Sequence, residues 1–401
     1  MNFFIKSFSK INRNDLFEFS FFLFVLVSFN NEFKNVRSIW WITIFLYNFL
    51  FCLSFNWKIH FHLSKFKIWA LCFFSICLIS LGYSLNKQIV IDNLMNILII
   101  LIVCFTLDDK INSYNDLIKF IYIFVLGIYI DLLYVLFTFD LSLFRLAQIG
   151  YASTGVWNGN EVALDAFITI PFLLFALDTS ESKYRKIFYL VSILIPVYLI
   201  YMTSSRKGFI CLVLSFCLYI IFKKPKKIIR NICIIIIFCC SITWAIFEVP
   251  ILYETIGWRM NGFFNLISGS GKIDSSTFLR KKYIDLGLKY FRYSPLFGYG
   301  LSNFSIINFI ELGKNTYSHN NFIEILIGTG LLGFISYYSI YFYEIQKFIK
   351  MLINHKTLFL TKVIFIEFII FLLMHFALVT YISVDQWLLL LFLYHSLKFV
   401  K

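Results

Sequence analysis

The sequence predicts an all-α polytopic membrane protein with about 12 transmembrane helices, and three observations carry that reading. First, 60% of the 401 residues are hydrophobic and only 14% are charged, far too little polar surface for a soluble domain of this size. Second, apolar runs of about 20 residues recur along the chain, the length a helix needs to cross a bilayer. Third, most of the 36 Lys and Arg residues sit in the short connections between those runs. The formal charge of +14 is therefore a topology signal rather than a nucleic-acid footprint, and no nucleic-acid partner is expected. The alternating segments of a transmembrane β-barrel are absent from the pattern.

In chain order the apolar runs predict helices at 16–33, 38–56, 66–84, 88–107, 114–138, 162–178, 187–203, 208–222, 231–249, 320–343, 359–380 and 384–398. The first follows Lys6, Lys10 and Arg13 with no small-residue cleavage site after it, and so reads as a retained helix. Placing Lys223-Lys224-Pro225-Lys226-Lys227 in the cytoplasm gathers 21 Lys and Arg on that side against 6 in the short outer loops, with both termini cytoplasmic. The nine cysteines all lie inside apolar runs without metal-ligand spacing and read as small packing residues. The whole chain, 1–401, is expected to be a single integral membrane domain.

One connection is much longer than its task requires. Residues 250–318, between the ninth and tenth predicted helices, form a long periplasmic loop in this topology. Within it Asp274-Ser275-Ser276-Thr277 offers N-caps, Leu279, Tyr283, Leu286 and Tyr290 recur at helical spacing, and Pro295 ends the run. An amphipathic helix at the outer membrane face follows.

Ionisable groups at a membrane boundary are costly, so their positions locate function. Of the six histidines, only His319 falls on the outer side, in Tyr317-Ser318-His319-Asn320-Asn321 at the entry to the tenth helix, where it is a candidate general base. Glu324, about one turn on, is placed to orient it. His375 reads as an interhelical hydrogen-bonding group, and Asp108-Asp109 as a solvated turn rather than part of a metal site. Arg206 and Lys207 lie in the outer turn Thr203-Ser204-Ser205-Arg206-Lys207-Gly208, against the charge rule, and Arg280 lies on the amphipathic helix. Arg259 and Arg145 are further outer cations, and convergent arginines can grip a diphosphate without a metal. Gly328-Thr329-Gly330-Leu331-Leu332-Gly333 matches a dinucleotide pattern, but with no preceding strand it reads as small residues for close helix packing.

Taken in order, these pieces resemble the O-antigen polymerase/ligase superfamily, with a Wzy-type polysaccharide polymerase the favoured member. Ser318-His319-Asn320-Asn321-Phe322-Ile323-Glu324 with the glycines that follow resembles the family's signature helix, and Arg280 through Ser294-Pro295-Leu296-Phe297-Gly298-Tyr299-Gly300 resembles the segment before it. Ser205-Arg206-Lys207-Gly208 resembles its Ser-Arg-x-Gly turn, and Asn158-Gly159-Asn160-Glu161 its Asn-rich helix entry, so the resemblance spans about 155–333.

The resemblance implies a membrane-embedded glycosyltransferase of the C type (GT-C) that needs no metal or cofactor. Its donor is a glycan on polyprenyl diphosphate, presented at the periplasmic face of the bacterial inner membrane. By the same implication, Arg206 and Arg280 hold the diphosphate and His319 deprotonates the acceptor hydroxyl. Lys207, Asn320, Asn160, Arg259, Glu324 and Tyr299 complete the expected substrate contacts. Lys207 departs from the small residue usual there, so either it or Arg206 faces the phosphate. Expected partners are the lipid-linked glycan donor and acceptor, membrane lipids, a chain-length regulator and a flippase. The alternatives are a ligase passing O-antigen to lipid A-core and, in another class, a flippase for lipid-linked oligosaccharide. No internal repeat of the kind transporters carry supports the flippase.

Overall fold

The computed structural model describes residues 13–30, 32, 63–148, 155, 157–261 and 275–399. The described chain is helical: α1 Arg13–Phe29, α2 Lys65–Ile79, α3 Lys87–Lys110, α4 Tyr114–Thr138, α5 Ser142–Gln148, α6 Gly159–Thr179, α7 Lys183–Met202, α8 Arg206–Lys223 and α9 Ile228–Glu248 come first. They are followed by α10 Ser275–Phe291, α11 Phe304–Leu312, α12 Asn321–Ile353, α13 Phe359–Met374 and α14 Val384–Ser396. Among the described residues, 7 helical stretches are long and apolar enough to span a membrane: 65–82, α3, α4, α6, α7, 225–248 and α12. The chain is thus a multi-pass membrane protein. The predicted helix at 38–56 lies outside the described residues, while α4 keeps its predicted bounds of 114–138.

The chain folds as two compact units. The first holds α1, α4 to α7, most of α8, and α9. Its centre is α6, buried along most of its length and running antiparallel to α7, its neighbour across the Ser180–Ser182 turn. Asn158 caps α6 by accepting from the Asn160 N–H at 3.0 Å. Just before it, the Trp157 indole donates to the Glu32 carboxylate at 3.3 Å, tying the helix entry to the end of α1.

The second unit holds α2, α3 and α10 to α14. Trp69 and Phe73 of α2 pack on Tyr337 of α12 and Trp387 of α14, and the Trp69 indole donates to the Ser336 carbonyl at 2.9 Å. The predicted amphipathic helix is present as α10, burying Tyr283 and Leu286 against Phe304 and Ile307 of α11 and Ile323 of α12. Its partner α11 carries no signal read from the sequence.

Two readings need correction. Asp108 is not in a solvated turn. It sits in the last turn of α3, buried, where it receives a hydrogen bond from His395 at 2.8 Å and lies 3.7 Å from the ammonium of the buried Lys67. The glycines of α12 do more than let two helices approach. Gly330 (φ 65°, ψ −164°) breaks α12 in two, and that break shapes the candidate site.

Candidate functional site

In the first unit the Ser-Arg-x-Gly turn joins α7 to α8. Ser205 is the pivot: its hydroxyl donates to Asn160 Oδ1 at 2.8 Å and accepts from the Gly208 N–H at 3.3 Å. One side chain thus caps α8 and fastens it to the first turn of α6. Gly208 is required by proximity, because a Cβ there would lie 2.5 Å from the Cβ of Ala163. Arg206 and Lys207, both half-buried, are the first two residues of α8, so their charges stand at the same helix entry as Asn160. The structure therefore brings together three sequence-predicted site residues: Asn160, Arg206 and Lys207. Arg145, on α5, pairs instead with Glu254 at 3.1 Å.

The second unit gathers the others. His319 immediately precedes the Asn320 cap of α12 and has φ 55°, a left-handed backbone that a residue with a Cβ adopts only when its surroundings hold it there. Those surroundings are explicit. The Asn320 side chain accepts from the Ile323 N–H at 3.1 Å. The buried Glu324 carboxylate accepts from the Ser318 N–H at 2.8 Å, and the Ser318 hydroxyl donates to the Asn320 carbonyl at 2.8 Å. Glu324 therefore braces the chain on the near side of His319 through the backbone. The His319 ring lies 4.2 Å from the Tyr317 ring, itself 44% exposed, and stacks parallel to the buried Tyr283 ring at 6.3 Å. Tyr283 is on α10 one turn after Arg280, which sets Arg280 on the helix that backs the histidine.

Beneath the histidine, Asn321 is fully engaged. Its Oδ1 accepts from the N–H groups of Thr380 and Tyr381 at 2.9 and 3.1 Å, and its amide donates to the Tyr338 hydroxyl at 3.0 Å. Tyr338 reaches Nδ1 of His375 at 3.1 Å, and Nε2 of His375 meets Gln386 at 3.2 Å. His375 is thus an interhelical hydrogen-bonding group, as the sequence predicts.

The break at Gly330 is filled by main chain from Pro295–Gly300. The Tyr299 and Gly300 N–H groups donate to the carbonyls of Ile327 and Gly328 at 2.8 and 2.9 Å, and the Leu331 N–H donates to the Pro295 carbonyl at 2.9 Å. No Cβ fits at Gly330, where it would stand 2.2 Å from the Leu296 carbonyl oxygen. The opposite side of the segment is held by the turn after α2. The Leu85 N–H donates to the Tyr299 carbonyl at 3.1 Å, the Asn86 N–H to Asn303 at 2.8 Å, and the Tyr83 hydroxyl to the Phe297 carbonyl at 2.7 Å. Tyr299 also donates its hydroxyl to the Tyr290 carbonyl at 3.0 Å. The early turn 80–86 belongs to no sequence motif, and Asn321, though it stands in the motif around His319, meets partners at 338 and 380–381 that no local pattern announces. Arg259, the remaining predicted cation, has its guanidinium 6.0 Å from the Trp258 ring. Among the described residues, no three His, Cys, Asp or Glu side chains converge as metal ligands would.

Residues 191–338 match the O-antigen ligase family (Wzy_C). A ComP-specific O-oligosaccharyltransferase of Acinetobacter baylyi (strain ATCC 33305 / BD413 / ADP1) is 25% identical over 256 residues, covering 59% of this chain and 44% of that protein. The chain thus spans less than half the length of the relative it matches. The family match takes in the Ser-Arg-x-Gly turn, the Pro295–Gly300 segment and the entry to α12.

Proposed function

We propose that the chain, which matches the O-antigen ligase family over residues 191–338, is a membrane glycosyltransferase joining polyprenyl-diphosphate-linked oligosaccharide units at the periplasmic face of the inner membrane. The observation that carries the reading is the preparation of His319. Its backbone is held in the left-handed region by a capped helix and a buried carboxylate brace, and its ring is set against two tyrosines. A base held this way loses little freedom when a substrate arrives.

In the proposed reaction His319 takes the proton from a hydroxyl of the acceptor sugar. The oxygen attacks the anomeric carbon of the donor as the bond from that carbon to the diphosphate oxygen breaks. The electron pair leaves with the polyprenyl diphosphate, whose growing charge is met by Arg280 and by Arg206 or Lys207. Asn160, Asn320, Arg259 and Tyr299 are the proposed glycan and phosphate contacts, with Glu324 holding the histidine's chain.

Polymerisation, in which the acceptor is another lipid-linked repeat unit, is the first reading. The second is ligation of finished polymer to lipid A-core or another hydroxyl acceptor, favoured by the ligase family match and the oligosaccharyltransferase relative. The surface-polysaccharide ladder of a deletion strain complemented with His319→Ala tests both. A polymerase defect leaves core bearing one repeat unit. A ligase defect leaves bare core with polymer retained on the polyprenyl carrier. Transfer by His319→Ala should fall by about 10²–10⁴-fold. Ladders of normal length and amount in His319→Ala and in Arg280→Ala would sink the assignment.

A further inference from the structure

Two residues beside the candidate site hold a left-handed backbone without being glycine: His319 at φ 55° and Ser302, just before α11, at φ 59°. Such a conformation persists only where the surroundings over-determine it. For both residues the connection between α13 and α14, residues 375–383, supplies part of that hold. At α12 it grips Asn321, two residues after His319. The Asn321 N–H stands at the start of the helix without an intrahelical acceptor, and it donates to the His375 carbonyl at 2.8 Å. Asn321 Oδ1 accepts from the Thr380 and Tyr381 N–H groups at 2.9 and 3.1 Å. At α11 the same connection reaches Ser302, whose hydroxyl is hydrogen-bonded to that of Tyr381.

Tyr381 is where the two holds meet. It is fully buried, with its main chain on Asn321 and its hydroxyl on Ser302. A buried phenol needs a partner, and Ser302 provides it. The Tyr381 carbonyl accepts from the Trp387 indole at 2.8 Å, and the buried Trp387 ring lies 4.9 Å from that of Trp69. The strut is thus anchored in the core of the second unit. The spacing it fixes matters because Phe304, two residues after Ser302, stands edge-on to the Tyr283 ring that stacks on His319. One end of the strut sets the chain of the histidine, and the other sets the wall behind its ring.

We propose that Tyr381 is a positioning residue for His319, holding the entry of α12 at a fixed distance from the α10–α11 wall through Asn321 and Ser302. The proposal rests on His319 being the general base. Tyr381, being buried, acts through the histidine rather than on substrate.

Tyr381→Phe deletes one hydroxyl and leaves the ring, the Trp387 contact and both N–H donors to Asn321 in place, so the fold should persist. Two readouts on the full chain purified in detergent test the strut. The first needs no catalysis: the rate at which diethylpyrocarbonate modifies His319, followed by mass spectrometry. His319 should react about threefold faster in Tyr381→Phe, with the exposed His355 unchanged. The second is transfer with the lipid-linked repeat unit extracted from the deletion strain, in which kcat should fall about tenfold at unaltered KM. Ser302→Ala breaks the same bond from its other side and should match on both counts, and it carries the test if Tyr381→Phe fails to fold. The double variant should be no worse than either single one, because only one bond is lost. His319 modified at the wild-type rate in both single variants, or losses that add in the double variant, overturn the positioning role. Undiminished transfer by His319→Ala instead removes the base reading itself, whatever the modification rates.

Discussion

The Ser205–Gly208 turn of the first unit and the Pro295–Gly300 segment of the second each lie beside candidate site residues in sequence, yet they are held by different means. The turn is held by side chains over short range: one serine hydroxyl, one asparagine and one glycine against one alanine. The segment is held by main chain over long range, its N–H and carbonyl groups replacing the hydrogen bonds that α12 loses at Gly330 and pairing behind with the 80–86 turn. A side-chain fastening fails gradually as atoms are removed. A main-chain fastening fails at once when a Cβ keeps the two backbones apart.

The largest effect is therefore expected at the segment. Gly330→Ala places a Cβ against the Leu296 carbonyl in a backbone region that is nearly exclusive to glycine, at a cost on the order of 3 kcal/mol. Thermal unfolding in detergent should show a large drop in midpoint, and glycan transfer should be lost with it. A midpoint equal to wild type would mean the main-chain docking does not hold the segment.

At the turn the effect should be smaller and reversible. Gly208→Ala sets two Cβ atoms 2.5 Å apart, at a cost of about 1–3 kcal/mol. Removing the opposing methyl in Gly208→Ala/Ala163→Gly should recover most of it, because the clash belongs to that pair. A double variant no more stable than Gly208→Ala would place the strain elsewhere.

The smallest effect concerns an exposed contact between α10 and α11. The Glu311 carboxylate is held below its usual 4.5 by the Tyr290 hydroxyl at 2.6 Å and the Lys289 ammonium at 3.1 Å. Tyr290 is correspondingly raised to about 12, first by that hydrogen bond. A depressed carboxylate contributes above its unfolded value and loses the contribution as pH falls through the folded one. A raised phenol contributes until pH climbs through about 12. The difference in stability between wild type and Glu311→Gln should thus be present at neutral pH and shrink as pH falls below the carboxylate's usual 4.5 and through its lowered folded value. A difference that persists in acid would assign the contact to packing rather than charge.

The same contrast separates what the sequence reveals from what it hides. Helix positions were legible because hydropathy is local, as with α4, whose ends fall at 114 and 138. The tenth predicted helix was read only to 343, whereas α12 continues to Ile353, because Glu344, Lys347 and Lys350 interrupt the apolar run without interrupting the helix. His319 and its turn of α12 were legible because cap, histidine and brace lie within seven residues, from 318 to 324. Asp108 was misread because its partner His395 is 287 residues away. The break at Gly330 was hidden for the same reason: the backbone that fills it begins at Pro295, and no local pattern announces that pairing.

The filled break has a consequence for how such a protein can diversify. A join made of amides asks nothing of the side chains it carries beyond the glycines that admit it. Leu296 and Phe297, though central to the docked segment, point outward and are 53% and 51% exposed. Their identities can therefore drift while the amide join at Gly330 stays in register.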